Sequence, residues 1–194
     1  MSLVTPGVVR KLYNDANAPQ AQEHETITFW EYLFNKRYFT GEAWFVASQK
    51  PPSTEVEDRR RRIDLNVNYF DGASGEIKIV AIVEGKRAST QPAVVEQVEA
   101  QAYQACAARC RSGGSVWAIT VIGTAARVWK YTTVPIPSWE CVTGGDQPEF
   151  RWYIDADWPT AAQIDRAFRD IAIRAPQSSF IVPSQAQSAT TRYV

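Results

Sequence analysis

Two acidic residues and a lysine show the spacing in this sequence that is best suited to chemistry. Glu84 and Lys86 follow the aliphatic run Ile77–Val83. On a strand, residues two apart point to the same face of the sheet. Asp64 lies in the preceding apolar segment, and the turn-prone cluster Asp71–Gly75 separates the two segments. The pattern predicts an antiparallel hairpin whose second arm is a central strand.

The pairing register of this hairpin decides whether the charged groups meet. If Phe70 pairs near Glu76, position 64 lies opposite position 82. That register places Asp64 diagonal to Glu84 on the same face, so the two carboxylates and the lysine converge at one end of the hairpin. A slip of one residue would move the first carboxylate to the opposite face.

Two carboxylates and an amine at one point suit metal-dependent cleavage of phosphodiester bonds. Mg²⁺ prefers oxygen ligands, usually one or two carboxylates together with water and substrate phosphate. An ion held by Asp64 and Glu84 would lower the pKa of a bound water and offset charge on the phosphate. Lys86 would orient that water or stabilise the developing oxyanion. The alternative is a cross-strand ion pair at a strand end.

The residues Asp64 and Glu84-Gly85-Lys86, followed by a helix from about Pro92, resemble the PD-(D/E)xK nuclease superfamily. There a hairpin strand supplies Asp, the next strand supplies Glu-x-Lys, and a helix then packs on the sheet. Ile63 precedes the aspartate here, where the motif has proline. The resemblance implies a restriction-endonuclease-like fold and hydrolysis of DNA or RNA, as an endonuclease or an exonuclease. It also implies Mg²⁺ or Mn²⁺ as cofactor, with the carbonyl of Gly85 as a further ligand.

The same resemblance makes several helical residues candidates. A glutamate on the first helix of such nucleases often reaches the metal, which points to Glu31, although the local sequence also fits a helix-capping box. One branch carries Gln-x-x-x-Tyr on the helix after the Glu-x-Lys strand. Glu99 and Tyr103 have that spacing with Glu in place of Gln, and Gln97 and Gln101 lie one turn apart on a nearby face. Ordinary packing of that helix is the alternative.

A run of basic residues precedes the first arm of the hairpin. Together with Arg87, the four arginines are candidates for contacts with a nucleic-acid backbone. The run consists of Arg59, Arg60, Arg61 and Arg62. A solvated charge run is equally compatible, because acidic residues directly before it partly neutralise it.

Composition limits the classes of protein. The chain has 194 residues, of which 45% are hydrophobic, so it can form one core. Its formal net charge is +0, so a nucleic-acid partner requires a local basic patch. A single histidine and three cysteines without a CxxC pair argue against zinc and against a disulfide framework. With no apolar span and no signal pattern, we expect an intracellular protein, cytoplasmic or nuclear, without a membrane partner.

The predicted elements indicate an α/β domain with a central mixed sheet of about five strands flanked by helices. We expect an irregular N-terminal arm over 1–24, a nuclease-like domain over 25–175 and a polar tail over 176–194. The expected helices are 28–39, about 92–111 and one that opens around Pro159. The expected strands are 43–47, the two hairpin arms, 116–121 and 126–131, with 150–154 as an edge strand.

Two functions therefore follow from the sequence. The first is a metal-dependent nuclease. The second is a catalytically inactive module of the same fold that binds nucleic acid or a protein partner. Because many nucleases of this superfamily cut two strands with two subunits, a homodimer is a further expectation.

Overall fold

Seven strands form one sheet in the computed structural model, which describes residues 1–50 and 63–174. The strands are β1 (Trp44–Lys50), β2 (Ile63–Asp71), β3 (Glu76–Lys86), β4 (Ser115–Ile122), β5 (Ala125–Thr132), β6 (Ser138–Cys141) and β7 (Ile154–Asp155). The α-helices are α1 (Val8–Ala16), α2 (Glu23–Leu33), α3 (Pro92–Arg109) and α4 (Ala162–Arg174). A π-helical turn, Phe34–Tyr38, continues α2, and short 3₁₀ turns lie at Phe150–Trp152 and Pro159–Ala161.

The sheet is mixed, as predicted, but it has seven strands rather than about five. Its order is β1-β2-β3-β4-β5-β6, and β7 pairs with β5. The β3–β4 pair is parallel, which requires a crossover connection, and α3 supplies it. Sequence reasoning missed β6, because this strand is short and lies among proline and glycine signals that indicate loops. The expected edge strand 150–154 is largely wrong, since its first residues form a 3₁₀ turn.

The β2–β3 hairpin forms where it was predicted, but its register differs from the expected one. Next to the turn Asp71 pairs with Glu76, and further along Leu65 pairs with Val83. A bulge on β3 lies between these points, because the register shifts after Val67. One step beyond the last pair, position 64 is level with position 84, not with position 82 as expected.

Two apolar layers cover the sheet because alternate residues of β3 point to opposite sides. Ala81 and Val83 join the core under α2 and α4, whereas Ile82 joins the core under α3. Aromatic rings fill the first layer, where Phe34 and Phe168 meet edge to face with centroids 5.3 Å apart. The small side chains of α3 allow it to pack closely on the second face. The aliphatic run of β3 therefore forms a strand that is covered on both faces.

The N-terminal segment, expected to be an irregular arm over 1–24, is part of the fold. It contains α1, and Leu3 is 0% exposed and donates its amide to the carbonyl of Ala156 at 2.7 Å. The helical spacing of Val9, Leu12 and Tyr13, which pack against the core, was the available signal. It was missed because polar residues surround this short apolar stripe.

The helix expected over 28–39 begins five residues earlier, at Glu23. Its N-cap is Gln22, whose amide donates to Glu25 Oε2 at 2.8 Å. The hydroxyl of Thr28, expected to cap the helix, instead donates to the carbonyl of His24 within it. No helix in the described ranges has the length and apolar character needed to cross a membrane.

The burial of the N-terminal segment gives a stability prediction. Leu3→Ala should lower the free energy of unfolding by about 2–4 kcal/mol, because it leaves a cavity in a fully buried site. The matched control is Val8→Ala, since Val8 is 55% exposed and its truncation should change stability by less than about 0.5 kcal/mol. Urea denaturation measures both. Equal, small effects would mean that the segment does not contribute to the core.

Candidate functional site

Glu84 and Lys86 end the central strand β3, where the aliphatic run gives way to charge. Glu84 is only 4% exposed, and the Lys86 side chain is 17% exposed. Glu84 is therefore buried, and Lys86 is partly buried. Charged groups so placed need specific partners, because burial of an unpaired charge is strongly unfavourable.

The side chain of Asp64 forms a hydrogen bond with the backbone at this strand end. Its Oδ2 accepts a hydrogen bond from the amide of Gly85 at 2.8 Å. Burial raises the pKa of Asp64, the Gly85 amide opposes that shift, the charge of Glu23 adds to it and Lys86 opposes it. The first carboxylate of the motif thus contacts the Glu84-Gly85-Lys86 segment directly.

Glu23, the first residue of α2, completes the group. Its Oε2 lies 3.1 Å from Lys86 Nζ. Gly85 allows this approach, because a Cβ there would lie 2.5 Å from Ile27 Cδ1 of α2 and 3.0 Å from Val121 Cγ2. Sequence reasoning missed Glu23, since it placed the helix start at Thr28 and left the glutamate in the expected arm. The available signal was the pair of acidic residues in the first turn of α2, Glu23 and Glu25, which is typical of a helix start.

Glu31 lies at the other end of the same helix. Eight residues of α-helix separate it from Glu23, a rise of about 12 Å. Its carbonyl accepts a hydrogen bond from Asn35 Nδ2 at 3.1 Å, so its local contacts are with the C-terminal turn. The glutamate of α2 that contacts Lys86 is therefore Glu23, and a metal-site role for Glu31 stays a prediction.

The carboxylate of Glu84 lies on the side of α3. Its neighbour Ile82 belongs to the core under α3, and its charge helps to raise the pKa of Cys106, after the larger effect of burial. In β2, Ile63 joins the core under α3 and Leu65 the core under α2, although they are two residues apart. The alternation of the strand is interrupted at Asp64, so the register alone does not give the direction of its side chain.

The carboxylates at this strand end are of the ligand type that a hard divalent cation prefers. Carboxylate oxygens are the preferred ligands of Mg²⁺, which often takes only one or two from the protein. The charge of Glu23 raises the pKa of Asp64, and a bound cation would relieve that repulsion. Within residues 1–50 and 63–174, no three or more His, Cys, Asp or Glu side chains are grouped closely enough to hold a metal ion. Any such ion would therefore rely on few protein ligands and on water.

Glu99 forms a buried ion pair away from the hairpin end. Its Oε1 accepts from Arg127 Nη1 at 2.6 Å and lies 3.2 Å from the Tyr153 hydroxyl, and Arg127 is 0% exposed. Burial raises the pKa of Glu99, while Arg127 and Tyr153 oppose that shift. Guanidinium groups do not lose their proton in proteins, and the positive charge of Arg127 lies 2.6 Å from Glu99 Oε1. This charge stabilises the carboxylate form of Glu99, so we assign the pair as ionised.

The other candidates on α3 point elsewhere. Tyr103 is 41% exposed and meets Tyr131 edge to face with centroids 5.5 Å apart, toward β5 and β6. Gln97 is exposed, and the buried Oε1 of Gln101 has no hydrogen-bond partner in the described part of the chain. These residues therefore do not form one cluster on the helix.

The basic candidates are only partly described. Arg87 is exposed directly after β3, beside Lys86. The arginine run lies outside the described residues; its members are Arg59, Arg60, Arg61 and Arg62. A cavity of about 370 Å³ lies between the end of β6 and α4, and its lining includes Thr143 and Arg166 but no candidate residue.

Comparison of the chain with protein-family models, with curated proteins and with solved structures gave no match. Functional inference therefore depends on the residues and their geometry.

The contrast between two aspartates gives a pH-dependent prediction. Because the pKa of Asp64 is raised on folding, the wild type should lose stability relative to Asp64→Asn as the pH rises above about 4. Lys78, with Nζ 2.6 Å away, is the main cause that lowers the pKa of Asp71 to about 2. Asp71→Asn should therefore destabilise the protein at neutral pH, and its effect should fade as the pH falls from about 4 toward 2.

Urea denaturation of metal-free protein across this pH range measures both effects. A destabilising Asp64→Asn substitution at neutral pH would show that burial does not dominate at that carboxylate. Asp71→Asn acts as the control of opposite sign on the same hairpin.

Proposed function

We propose that this chain is a metal-dependent nuclease that hydrolyses phosphodiester bonds in DNA or RNA, with the site at the end of the β2–β3 hairpin. The observation that supports it most is the hydrogen bond from the Gly85 amide to Asp64, which joins the two halves of the motif. The ion pair between Lys86 and Glu23 adds a third acidic residue next to Asp64 and Glu84.

The order of elements supports the resemblance to PD-(D/E)xK nucleases. A hairpin strand with Asp64 precedes a strand ending in Glu84-Gly85-Lys86, and α3 then crosses to a parallel strand. This is the strand, strand and helix order that the superfamily motif requires. Because one fold hosts many functions, the proposal depends on the site residues as well as on this order.

The residues would divide the work by their chemistry. Asp64 and Glu84, with the carbonyl of Gly85, would hold Mg²⁺ or Mn²⁺, and Glu23 takes the place expected for Glu31. When bound, such an ion acidifies a water and offsets charge on the phosphate. The Gly85 amide helps to fix the orientation of the Asp64 carboxylate through its 2.8 Å hydrogen bond.

Lys86 would orient the water or stabilise the developing oxyanion. Its side chain is 17% exposed, and its ammonium lies 3.1 Å from Glu23 Oε2 and close enough to Asp64 to oppose the rise in the pKa of that carboxylate. A positively charged group that is already oriented stabilises a developing negative charge without reorganisation.

Nucleic acid would approach the exposed side of this strand end. Arg87 is exposed beside the site and suits a phosphate contact. The arginines that precede β2 in the sequence, Arg59, Arg60, Arg61 and Arg62, remain candidates for the same role. Contacts of this kind would supply the local positive charge that a chain of net charge +0 needs. A homodimer that cuts both strands of a duplex belongs to the same proposal.

The second candidate function is a module of this fold that binds nucleic acid or a protein without cleavage. The low exposure of Glu84, at 4%, favours it, because a substrate must reach the bound ion. Under this alternative, the pair between Glu23 and Lys86 only stabilises the packing of α2 on β3.

A cleavage assay separates the two functions. Wild-type protein should degrade DNA or RNA with Mg²⁺ or Mn²⁺ and stop in excess chelator. Asp64→Asn, Glu84→Gln and Lys86→Met should each lower the rate by at least about 100-fold. The matched control is Lys78→Met on the same strand, which breaks only the ion pair with Asp71 and should keep the rate within about threefold of wild type. Equal rates for wild type and the three site variants would contradict the nuclease and leave the binding module.

The two glutamates of α2 provide a separate test. Glu23→Gln should lower the cleavage rate by about 10- to 100-fold, because it removes a charge in contact with Lys86 and near Asp64. Glu31→Gln, about 12 Å along the same helix, should change the rate by less than about twofold. The reverse result would return the metal-site role to Glu31.

A further inference from the structure

A row of buried polar side chains crosses the sheet beneath α3, beginning at Glu84. Glu84 is level with Thr120 in the β3–β4 pair, and Thr120 is level with Arg127 in the β4–β5 pair. Thr120 and Arg127 are both 0% exposed. Level residues on neighbouring strands lie about 5 Å apart and point to the same face. The hydroxyl of Thr120 is therefore the polar group that β4 places beside Glu84.

This hydroxyl belongs to a continuous chain of hydrogen bonds. The indole of Trp129 donates to Thr120 Oγ1 at 3.1 Å, and the Tyr153 hydroxyl lies 3.0 Å from the same oxygen. The Tyr153 hydroxyl also lies 3.2 Å from Glu99 Oε1, the oxygen that accepts from Arg127. Four of these side chains are at most 3% exposed, and Glu99 is 8% exposed.

The number of protons fixes the direction of this chain. The ionised carboxylate of Glu99 can only accept, so the single proton of Tyr153 is donated to it. The contact between Tyr153 and Thr120 must then use the proton of Thr120. Trp129 already donates to the Thr120 oxygen. The Thr120 proton therefore points to Tyr153 and not toward Glu84.

We propose that Thr120 and Tyr153 are positioning residues for Glu84, because they keep the Thr120 proton off the carboxylate that would hold the divalent ion. A hydroxyl that donates to a carboxylate competes with a cation for the same lone pairs. This inference rests on the proposed function, in which Glu84 is a metal ligand.

The opposite side of the sheet offers a matched structural control. The Tyr38 hydroxyl donates to Asp165 Oδ1 at 2.9 Å, and Asp165 is paired with Arg37 at 3.1 Å. Tyr38 is 7% exposed and belongs to the core under α2 and α4. Tyr38, Asp165 and Arg37 repeat the arrangement of tyrosine, carboxylate and arginine seen at Tyr153. Their group does not include a candidate metal ligand. Loss of either hydroxyl should lower stability to a similar extent.

The experiment is calorimetric titration of Mn²⁺ alone into metal-free protein. Tyr153→Phe should weaken Mn²⁺ binding by about tenfold, because the released Thr120 proton is then donated to Glu84. Tyr38→Phe should bind within about twofold of wild type. The double variant Thr120→Val/Tyr153→Phe should restore binding to within about twofold of wild type, because the Thr120 proton is then absent as well.

Each outcome decides the inference. Unchanged binding by Tyr153→Phe, or weak binding that the double variant does not restore, overturns it. Wild-type protein that binds no Mn²⁺ overturns the proposed metal site and this inference with it, whereas a binding wild type with an unaffected Tyr153→Phe overturns the inference alone. If Tyr153→Phe does not fold, Thr120→Val is measured instead: the inference requires binding within about twofold of wild type, and a tenfold loss overturns it.

Discussion

The close packing of α2 on β3 at Gly85 is the contact on which the candidate site depends. The absent side chain leaves room for Ile27, since a Cβ would lie 2.5 Å from its Cδ1. The same residue donates its amide to Asp64. One glycine thus brings the start of α2, the end of β3 and the first carboxylate of the motif together. A larger residue would have to move the Ile27 side chain away from this contact.

The pKa of Asp64 is shifted in the opposite direction from the pKa values of Asp71 and Asp157. Lys78 and Arg10 are the main causes that lower the pKa values of Asp71 and Asp157, respectively, as expected of groups that stabilise the fold through ion pairs. At Asp64 burial is the dominant effect and raises the pKa. A carboxylate kept in a destabilising environment is typical of functional sites, where binding or chemistry gains from the perturbation.

Different kinds of side chain cover the two faces of the sheet. Aromatic rings fill most of the face covered by α2 and α4, and their packing is its main feature. The face under α3 contains the ion pair of Arg127 with Glu99 and the hydroxyls bonded to it. Such a network costs desolvation energy and stabilises only when every proton is placed, so it defines one arrangement of α3 over the sheet. Glu84 lies in the same row, which connects the order of this network with the candidate site.

The sequence by itself determined the local features: the hairpin around Asp71–Gly75, the charged end of the aliphatic strand and the helix that begins at Pro92. These follow from turn residues, alternation and helical periodicity, which act over a few neighbouring positions. Only the tertiary structure decided that Glu23 rather than Glu31 meets Lys86, because that depends on how α2 packs. It also decided the register of β2 through a bulge, and the pairing of side chains far apart in the chain. Contacts between distant segments leave no local periodic signal, so they depend on the packing of the whole fold.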